Sequence, residues 1–99
     1  MSTGILVVGA MGRMGERVRA ALADHPTLSL GAAVERPGHP DLGRELAAGI
    51  LLGDDGAAAL GSVDAAIIFA TPDATLELLR RAADAGVPCA VGTTGFSSD

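Results

Sequence analysis

A glycine-rich turn near the amino terminus is the segment of this 99-residue sequence best suited to chemistry. Gly9, Gly12 and Gly15 recur at every third position, directly after the apolar run Ile5–Val8. We expect Gly9 to permit a tight turn, Gly12 to let the main chain approach a phosphate group, and Gly15 to let the following helix pack closely. The amide groups and the dipole of that helix would then face the phosphate. The segment therefore predicts a site for a phosphorylated ligand.

A carboxylate lies at the spacing that would complete such a site. Glu35 follows the apolar segment Leu28–Val34, twenty residues after Gly15. A dinucleotide-binding fold places there the acidic side chain that binds the ribose hydroxyls. Arg36 comes next and is suited to a 2′-phosphate, so the pair predicts acceptance of both NADH and NADPH. Two plainer interpretations stay open, namely an ordinary tight turn in a chain rich in Ala and Gly, and a solvated Glu-Arg surface pair.

The elements that must position these residues alternate along the chain. Short apolar runs predict strands, and apolar residues at helical spacing predict two helices between them. This alternation is typical of an α/β fold of Rossmann type, a parallel sheet with helices on both faces, here truncated after its last strand. The predicted strands are Ile5–Val8, Leu28–Val34, Ala65–Ala70 and Cys89–Val91, and the predicted helices begin after Gly12 and after Thr71.

Both predicted helices have recognisable ends and inward faces. Pro26 predicts the end of the first helix, because proline disfavours helical geometry in the residue before it. In the second helix Thr71 is suited to the N-cap, Pro72 to the first turn and Gly86 to the C-terminal stop. We expect the inward faces to consist of Met14, Val18, Ala21 and Leu22 in the first helix and of Leu76, Leu79 and Ala83 in the second.

The segment from Gly38 to Val63 has no clear period, because Gly and Asp interrupt each pattern. We expect it to connect the second strand to the third through small elements. These are a short helix at Asp41–Ala48, an extended piece at Ile50–Leu52 and one helical turn at Ala57–Leu60.

Composition excludes several classes of function. The net charge of −5 argues against nucleic acid as a partner, since binding to a phosphate backbone requires clustered cations. The single cysteine, Cys89, rules out an intrachain disulfide and a cysteine-rich metal site, and its apolar neighbours predict a buried structural thiol. Asp54 and Asp55 indicate an exposed turn rather than a metal site. No apolar run is long enough for a membrane span, and no export signal is present, so we expect a cytoplasmic protein.

Four segments together resemble the dihydrodipicolinate reductases, also called 4-hydroxy-tetrahydrodipicolinate reductases, in order and in spacing. These are NAD(P)H-dependent enzymes of the diaminopimelate–lysine pathway. The resemblance covers nearly all of this chain but well under half of a full family member. The segments are VVGAMGRMG, AAVERPG, IIFATPDATLELL and GVPCAVGTTGF.

The resemblance implies a role for individual residues of the cofactor site. Glu35 would bind the adenosine ribose, Arg36 the phosphate of NADP, and Phe69 would lie near the middle of the cofactor. A core aromatic is the alternative for Phe69. The pyrophosphate would be held by Gly9, Ala10, Met11, Gly12, Arg13 and Met14, and the nicotinamide end would lie beside Gly92, Thr93 and Thr94.

The resemblance also implies what this chain does not contain. Residues 1–99 would form one dinucleotide-binding domain, and the substrate domain with its His-His and Lys motif would follow Asp99. We therefore expect no catalytic residue here and no activity from the chain alone. His25 and His39 match nothing in that motif. The family usually has an acidic residue before the phenylalanine and a hydroxyl after it, where this sequence has Ile68 and Ala70.

Two other kinds of protein are alternatives to a dihydrodipicolinate reductase domain. The cofactor domain of another small dehydrogenase, such as aspartate or homoserine dehydrogenase, shares the first glycines. A free-standing nucleotide-binding or redox-sensing module would also have this length. We further expect a homo-oligomer, because a sheet that ends at Cys89–Val91 would expose an unpaired edge.

Overall fold

A computed structural model describes residues 3–92 of the chain. Within that range the strands form one six-stranded sheet in the order β3-β4-β2-β1-β5-β6. The strands are β1 (Thr3–Val8), β2 (Leu28–Val34), β3 (Glu45–Ala47), β4 (Ile50–Gly53), β5 (Ala65–Ile68) and β6 (Cys89–Val91). The helices are α1 (Arg13–Ala23), α2 (Gly56–Ala59), which continues into a turn of 3-10 helix, and α3 (Pro72–Ala85).

The order of the strands creates a crevice at one edge of the sheet. β1 lies at the centre and pairs in parallel with β2 on one side and with β5 on the other. The chain therefore builds outward from β1 through β2, then crosses to the opposite side to form β5 and β6. Ligands of open α/β sheets bind at such a reversal, outside the carboxyl ends of the strands. In this fold that position lies beyond Val8 and Ile68.

Alternate residues of the central strands face two separate cores, which confirms the prediction of helices on both faces. Leu6 and Ile68 lie in the core covered by α3 and the 3-10 turn, together with Leu60 and Ala82. The opposite core contains Ile5, Val7 and Leu22 and is covered by α1. Strands buried on both faces explain the unbroken apolar runs of the sequence.

The ends of the helices follow the prediction, but the inward face of α3 does not. Thr71 accepts a hydrogen bond from the amide of Ala74, and Gly86 ends the helix in the left-handed conformation. The buried positions of α3 are Thr75 and Ala82, with Leu78 and Leu79 packed between them. Leu76 is 57% exposed and Ala83 is also exposed, so those two assignments were wrong. In α1, Leu22 is buried and Val18 packs against the core as expected. Ala21 is exposed, and Met14 lines a cleft outside both cores, so those two assignments were wrong.

The predicted helix at Asp41–Ala48 was wrong. The segment forms turns and then strand β3, which pairs antiparallel with β4 across the turn at Ala48 and Gly49. Gly49 has a φ of 78°, a value that glycine adopts without steric cost, and its amide donates to the Glu45 carboxylate at 2.9 Å. The expected extended piece and the helical turn after it are present as β4 and α2. β5 ends at Ile68, two residues before the predicted limit.

Two further expectations concern burial. No helix among residues 3–92 is long and apolar enough to cross a membrane. Cys89 lies partly rather than fully buried, at the edge of the α3 core, where its thiol is 3.6 Å from the carbonyl oxygen of Val87.

Candidate functional site

The glycine turn links β1 to α1 at the reversal of strand order. Gly9 has a φ of 81°, and an added Cβ would collide with the carbonyl oxygen of Phe69, so only glycine fits there. The amides of Gly9 and Ala10 both donate to the carbonyl oxygen of Val34, at 2.9 and 3.2 Å. The amide of Gly12 donates to the carbonyl oxygen of Gly9 at 3.1 Å. The turn is therefore closed on itself and fixed to the end of β2.

Gly15 and Gly12 are glycines in different surroundings. A Cβ on Gly15 would lie 2.9 Å from Cα of Ala10. The absence of a side chain at Gly15 therefore lets α1 pack closely against the turn itself. Gly12 is exposed, with a φ of −73° that any residue adopts. The nearest atom to a Cβ there would be the carbonyl oxygen of Gly9 at 3.4 Å. The protein leaves open the space in front of Gly12.

The first turn of α1 presents amide groups to that open space. Among the described residues, the backbone amides of Arg13, Met14 and Gly15 have no hydrogen-bond acceptor. Such amides are the general anion-binding groups of a helix amino terminus. Glu16 is the first residue of α1 whose amide is bonded, to the carbonyl oxygen of Gly12 at 2.9 Å. The amides available to a phosphate thus follow the turn instead of lying within it.

Two charged side chains, one at the end of β2 and one in α1, form hydrogen bonds with the glycine turn. The carboxylate of Glu35, at the end of β2, accepts a hydrogen bond from the amide of Met11 at 2.9 Å. Nε of Arg19, in α1, donates to the carbonyl oxygen of Ala10 at 2.9 Å, and its terminal nitrogen lies 3.7 Å from the Met11 sulfur. Arg19 is not among the site residues that the sequence predicts. Ala10 is fully buried, so it contributes the shape of the turn.

A cleft of about 400 Å³ opens beside Glu35 on the α3 side of the sheet. Its walls are mainly apolar, and Arg36 and Glu77 lie at its rim. Arg36 is exposed, and within residues 3–92 its guanidinium has no hydrogen-bond partner. The apolar wall consists of Val8, Val34, Pro37, Ala70, Ala74 and Leu78.

Phe69 separates this cleft from a second one. The ring is half-buried, follows the end of β5, and lies so close to Gly92 that a Cβ on Gly92 would overlap it. The second cleft, of about 490 Å³, is lined by Phe69, Arg13, Met14 and Arg17. Phe69 thus lies at the mouth of the sheet and outside both cores. The predicted contacts at Thr93 and Thr94 lie outside the described residues.

The remaining ionisable candidates have structural partners. Nδ1 of His25 accepts from the amides of Thr27 and Leu28, and Nδ1 of His39 accepts from the amide of Asp41. These bonds shape turns away from the clefts. The carboxylate of Asp55 caps α2. In the part of the chain that the structure describes, no group of acidic, His and Cys residues could hold a metal ion.

Comparison with known proteins identifies relatives in sequence and in fold. A curated 4-hydroxy-tetrahydrodipicolinate reductase from Rhizobium meliloti is 40% identical over 99 residues, covering 93% of this chain and 41% of the relative. The dipicolinate-bound dihydrodipicolinate reductase of Paenisporosarcina sp. TG-14 superposes with a TM-score of 0.79 at 18% identity, covering 99% of this chain and 40% of that one. An aspartate semialdehyde dehydrogenase with NADP from Candida albicans superposes with a TM-score of 0.74 at 16% identity, over 97% of this chain and 31% of that one.

These figures define both the family and the extent of the match. The two solved structures are distant in sequence and show a shared fold. The chain spans about two fifths of the length of the curated relatives that it matches. The sequence profile described as "Dihydrodipicolinate reductase, N-terminus" matches residues 3–99. The chain belongs to the family of dihydrodipicolinate reductase N-terminal domains.

Proposed function

We propose that this chain binds a nicotinamide dinucleotide and is the cofactor domain of a 4-hydroxy-tetrahydrodipicolinate reductase. The observation that carries the proposal is the combination at the start of α1. Three acceptor-free amides, at Arg13, Met14 and Gly15, face a space that the absent side chain of Gly12 leaves open. A pyrophosphate fits that combination, because it needs both close approach to the backbone and several donors.

The two clefts suggest how the rest of the cofactor lies. The adenosine half would occupy the cleft beside Glu35, with its ribose hydroxyls on the free lone pairs of the carboxylate and its base against Ala74 and Leu78. From the turn, the cofactor would pass Phe69 and reach Gly92 with its nicotinamide end. Thr93 and Thr94 are proposed as neighbours of the nicotinamide from the family resemblance alone.

The reaction divides between this domain and the remainder of the enzyme. When bound, the reduced nicotinamide supplies a hydride for the reduction of 4-hydroxy-tetrahydrodipicolinate to tetrahydrodipicolinate. The residues of this chain bind and orient the dinucleotide, and the ring of Phe69 separates its two halves. We assign no catalytic residue to the chain and place substrate binding and proton donation in the substrate domain of the family.

The adjacent charges at the end of β2 suggest that both cofactors are accepted. Glu35 can accept hydrogen bonds from the ribose of NADH, and Arg36 has a guanidinium free to meet the 2′-phosphate of NADPH. We propose a cytoplasmic location, which fits both the family's biosynthetic role and the use of a reduced cofactor. We propose that the chain has no nucleic-acid partner, since its net charge is −5. We also propose a homo-oligomer, since β6 lies at an edge of the described sheet.

Replacement of Gly12 tests the proposal. We expect Gly12→Val to abolish binding of NADH and NADPH, because the side chain would fill the space before the helix amides, whereas the fold tolerates it. Ligand fluorescence measures binding and circular dichroism verifies the fold. Gly61→Val is the matched control, since a side chain there also meets open space but lies away from both clefts. Equal binding by Gly12→Val and the parent, or no binding by the parent, would contradict the proposal.

A further inference from the structure

The peptide bond between Ala10 and Met11 is held from both sides. Its carbonyl oxygen accepts from Nε of Arg19 at 2.9 Å, and its amide donates to the carboxylate of Glu35 at 2.9 Å. One peptide plane thus connects a guanidinium on α1 to a carboxylate at the end of β2. Hydrogen bonds to charged groups are stronger than those between neutral groups, so both bonds to this plane are of the stronger kind.

The contact of Arg19 with the turn follows from helix geometry. Arg19 lies six residues beyond the start of α1, which is about 9 Å along the axis at 1.5 Å per residue. Side chains of a helix point toward its amino terminus, and on that side the carbonyl oxygen of Ala10 lies within hydrogen-bond distance of Nε of Arg19. The side chain is half-buried and its terminal nitrogen also contacts the Met11 sulfur. Arg19 therefore returns to the turn that precedes its own helix.

We propose that Arg19 is a positioning residue for dinucleotide binding, acting through the Ala10–Met11 peptide. The inference rests on the proposed function. If that peptide plane rotated, its amide would leave the Glu35 carboxylate. The carboxylate would then lose one of the two backbone hydrogen bonds that orient it beside the cleft, the other being from the Arg36 amide at 3.2 Å. The same rotation would alter the approach to Gly12 and the first amides of α1. Arg19 thus keeps two parts of the site in register without touching the cofactor.

The test measures the turn and the affinity separately. In Arg19→Met we expect the Met11 amide to exchange its hydrogen roughly tenfold faster, since the peptide loses its charged partner, while amides of α3 keep the parent rate. We expect the affinity for NADH and for NADPH to fall roughly tenfold. Arg19→Lys keeps one charged donor and restores part of both. Arg80→Met is the control, because Arg80 is an exposed arginine of α3 that lines neither cleft.

Each outcome decides the inference. Parent-like exchange at Met11 in Arg19→Met overturns it, and so does faster exchange with unchanged affinity. Faster exchange throughout the chain would assign Arg19 a general role in stability and would also overturn it. If Arg19→Met does not fold, Arg19→Gln provides the same comparison with a neutral donor. A parent chain that binds neither cofactor refutes the proposed function, whereas the exchange rates still show whether Arg19 orients the peptide.

Discussion

At the scale of single residues, Glu35 combines a structural and a proposed binding role. Its carboxylate accepts from the Met11 amide at 2.9 Å and at the same time lines the cleft proposed for adenosine. An ionised carboxylate has about four acceptor sites, so the bond to the turn leaves sites for ribose hydroxyls. Arg36 differs, because its side chain is exposed and has no hydrogen-bond partner among the described residues. Replacing Arg36 should therefore change the preference between NADH and NADPH without removing a hydrogen bond of the turn, whereas replacing Glu35 would remove one.

Arg36→Ala is expected to weaken NADPH more than NADH. The guanidinium is proposed to meet the 2′-phosphate, which NADH lacks, so its removal should cost about 1–3 kcal/mol for NADPH only. Parallel titrations of the two cofactors measure the difference. Arg44→Ala removes an exposed arginine that lines neither cleft and should leave both affinities unchanged. Equal weakening of both cofactors by Arg36→Ala would remove it from the phosphate site.

Cys89 should react slowly with alkylating agents at neutral pH. Burial raises the pKa of the Cys89 thiol above its usual range, because the charged thiolate is less well solvated there. Alkylation should accelerate as the pH rises, with a midpoint above that of the unfolded chain. By linkage, this group contributes stability below the thiol's unfolded pKa and loses that contribution as the pH passes its folded pKa. A midpoint equal to that of the denatured chain would contradict the prediction.

At the scale of elements, α1 and α3 differ in how their amino termini are capped. α1 begins at Gly12 without any side-chain cap, which leaves its first amides available. α3 begins at Thr71, whose side chain accepts from the Ala74 amide, and ends at Gly86. Both helices cover a core, but only the uncapped amino terminus of α1 faces the proposed phosphate site. Capping would satisfy the donors that a ligand needs, so the difference agrees with the proposed roles.

Gly86→Ala should destabilise the fold by about 1 kcal/mol, because alanine must adopt a left-handed conformation there. Gly86 has a φ of 71°, and a Cβ there meets no neighbour within 4 Å, so the cost is conformational and not steric. Gly86→Asn should cost less, since asparagine adopts this conformation more readily. Urea unfolding of the three proteins measures the order. A variant with alanine as stable as the parent would show that the C-terminal turn adjusts.

At the scale of the whole molecule, the described residues form the two clefts proposed for a dinucleotide. The glycine turn, Phe69 and Gly92 come together at the carboxyl ends of β1, β5 and β6. The histidines hold turns elsewhere. The proposed role as a cofactor domain assigns catalysis to the rest of a longer enzyme, and the chain spans 41% of a curated relative.

The purified chain should bind cofactor without reducing 4-hydroxy-tetrahydrodipicolinate. The expected reason is that the substrate-binding and proton-donating groups belong to the family's other domain. Absorbance of NADH or NADPH in the presence of freshly formed substrate measures turnover, and a full-length curated relative serves as the positive control. Turnover by the 99-residue chain would overturn this division of labour.

Features that depend on local chemistry were predictable from the sequence alone. The strand at Leu28–Val34 has its predicted limits, because a largely apolar segment is bounded by prolines at Pro26 and Pro37. Thr71 and Gly86 mark the ends of α3, because a hydroxyl cap and a left-handed glycine act within a few residues. The position of Glu35 after β2 was likewise fixed by spacing from the glycine turn.

Features that depend on partners distant in the sequence became visible only in the folded chain. The segment predicted as a helix at Asp41–Ala48 became β3 because β4 supplies its hydrogen bonds. Leu76 is apolar yet exposed, since the sheet and the 3-10 turn decide which side of α3 is covered. The hydrogen bond between the Met11 amide and Glu35 and the place of Phe69 beside Gly92 join elements that are far apart in the sequence. Local patterns specify elements, but packing chooses which side chains meet, because each contact requires two surfaces that the chain brings together only on folding.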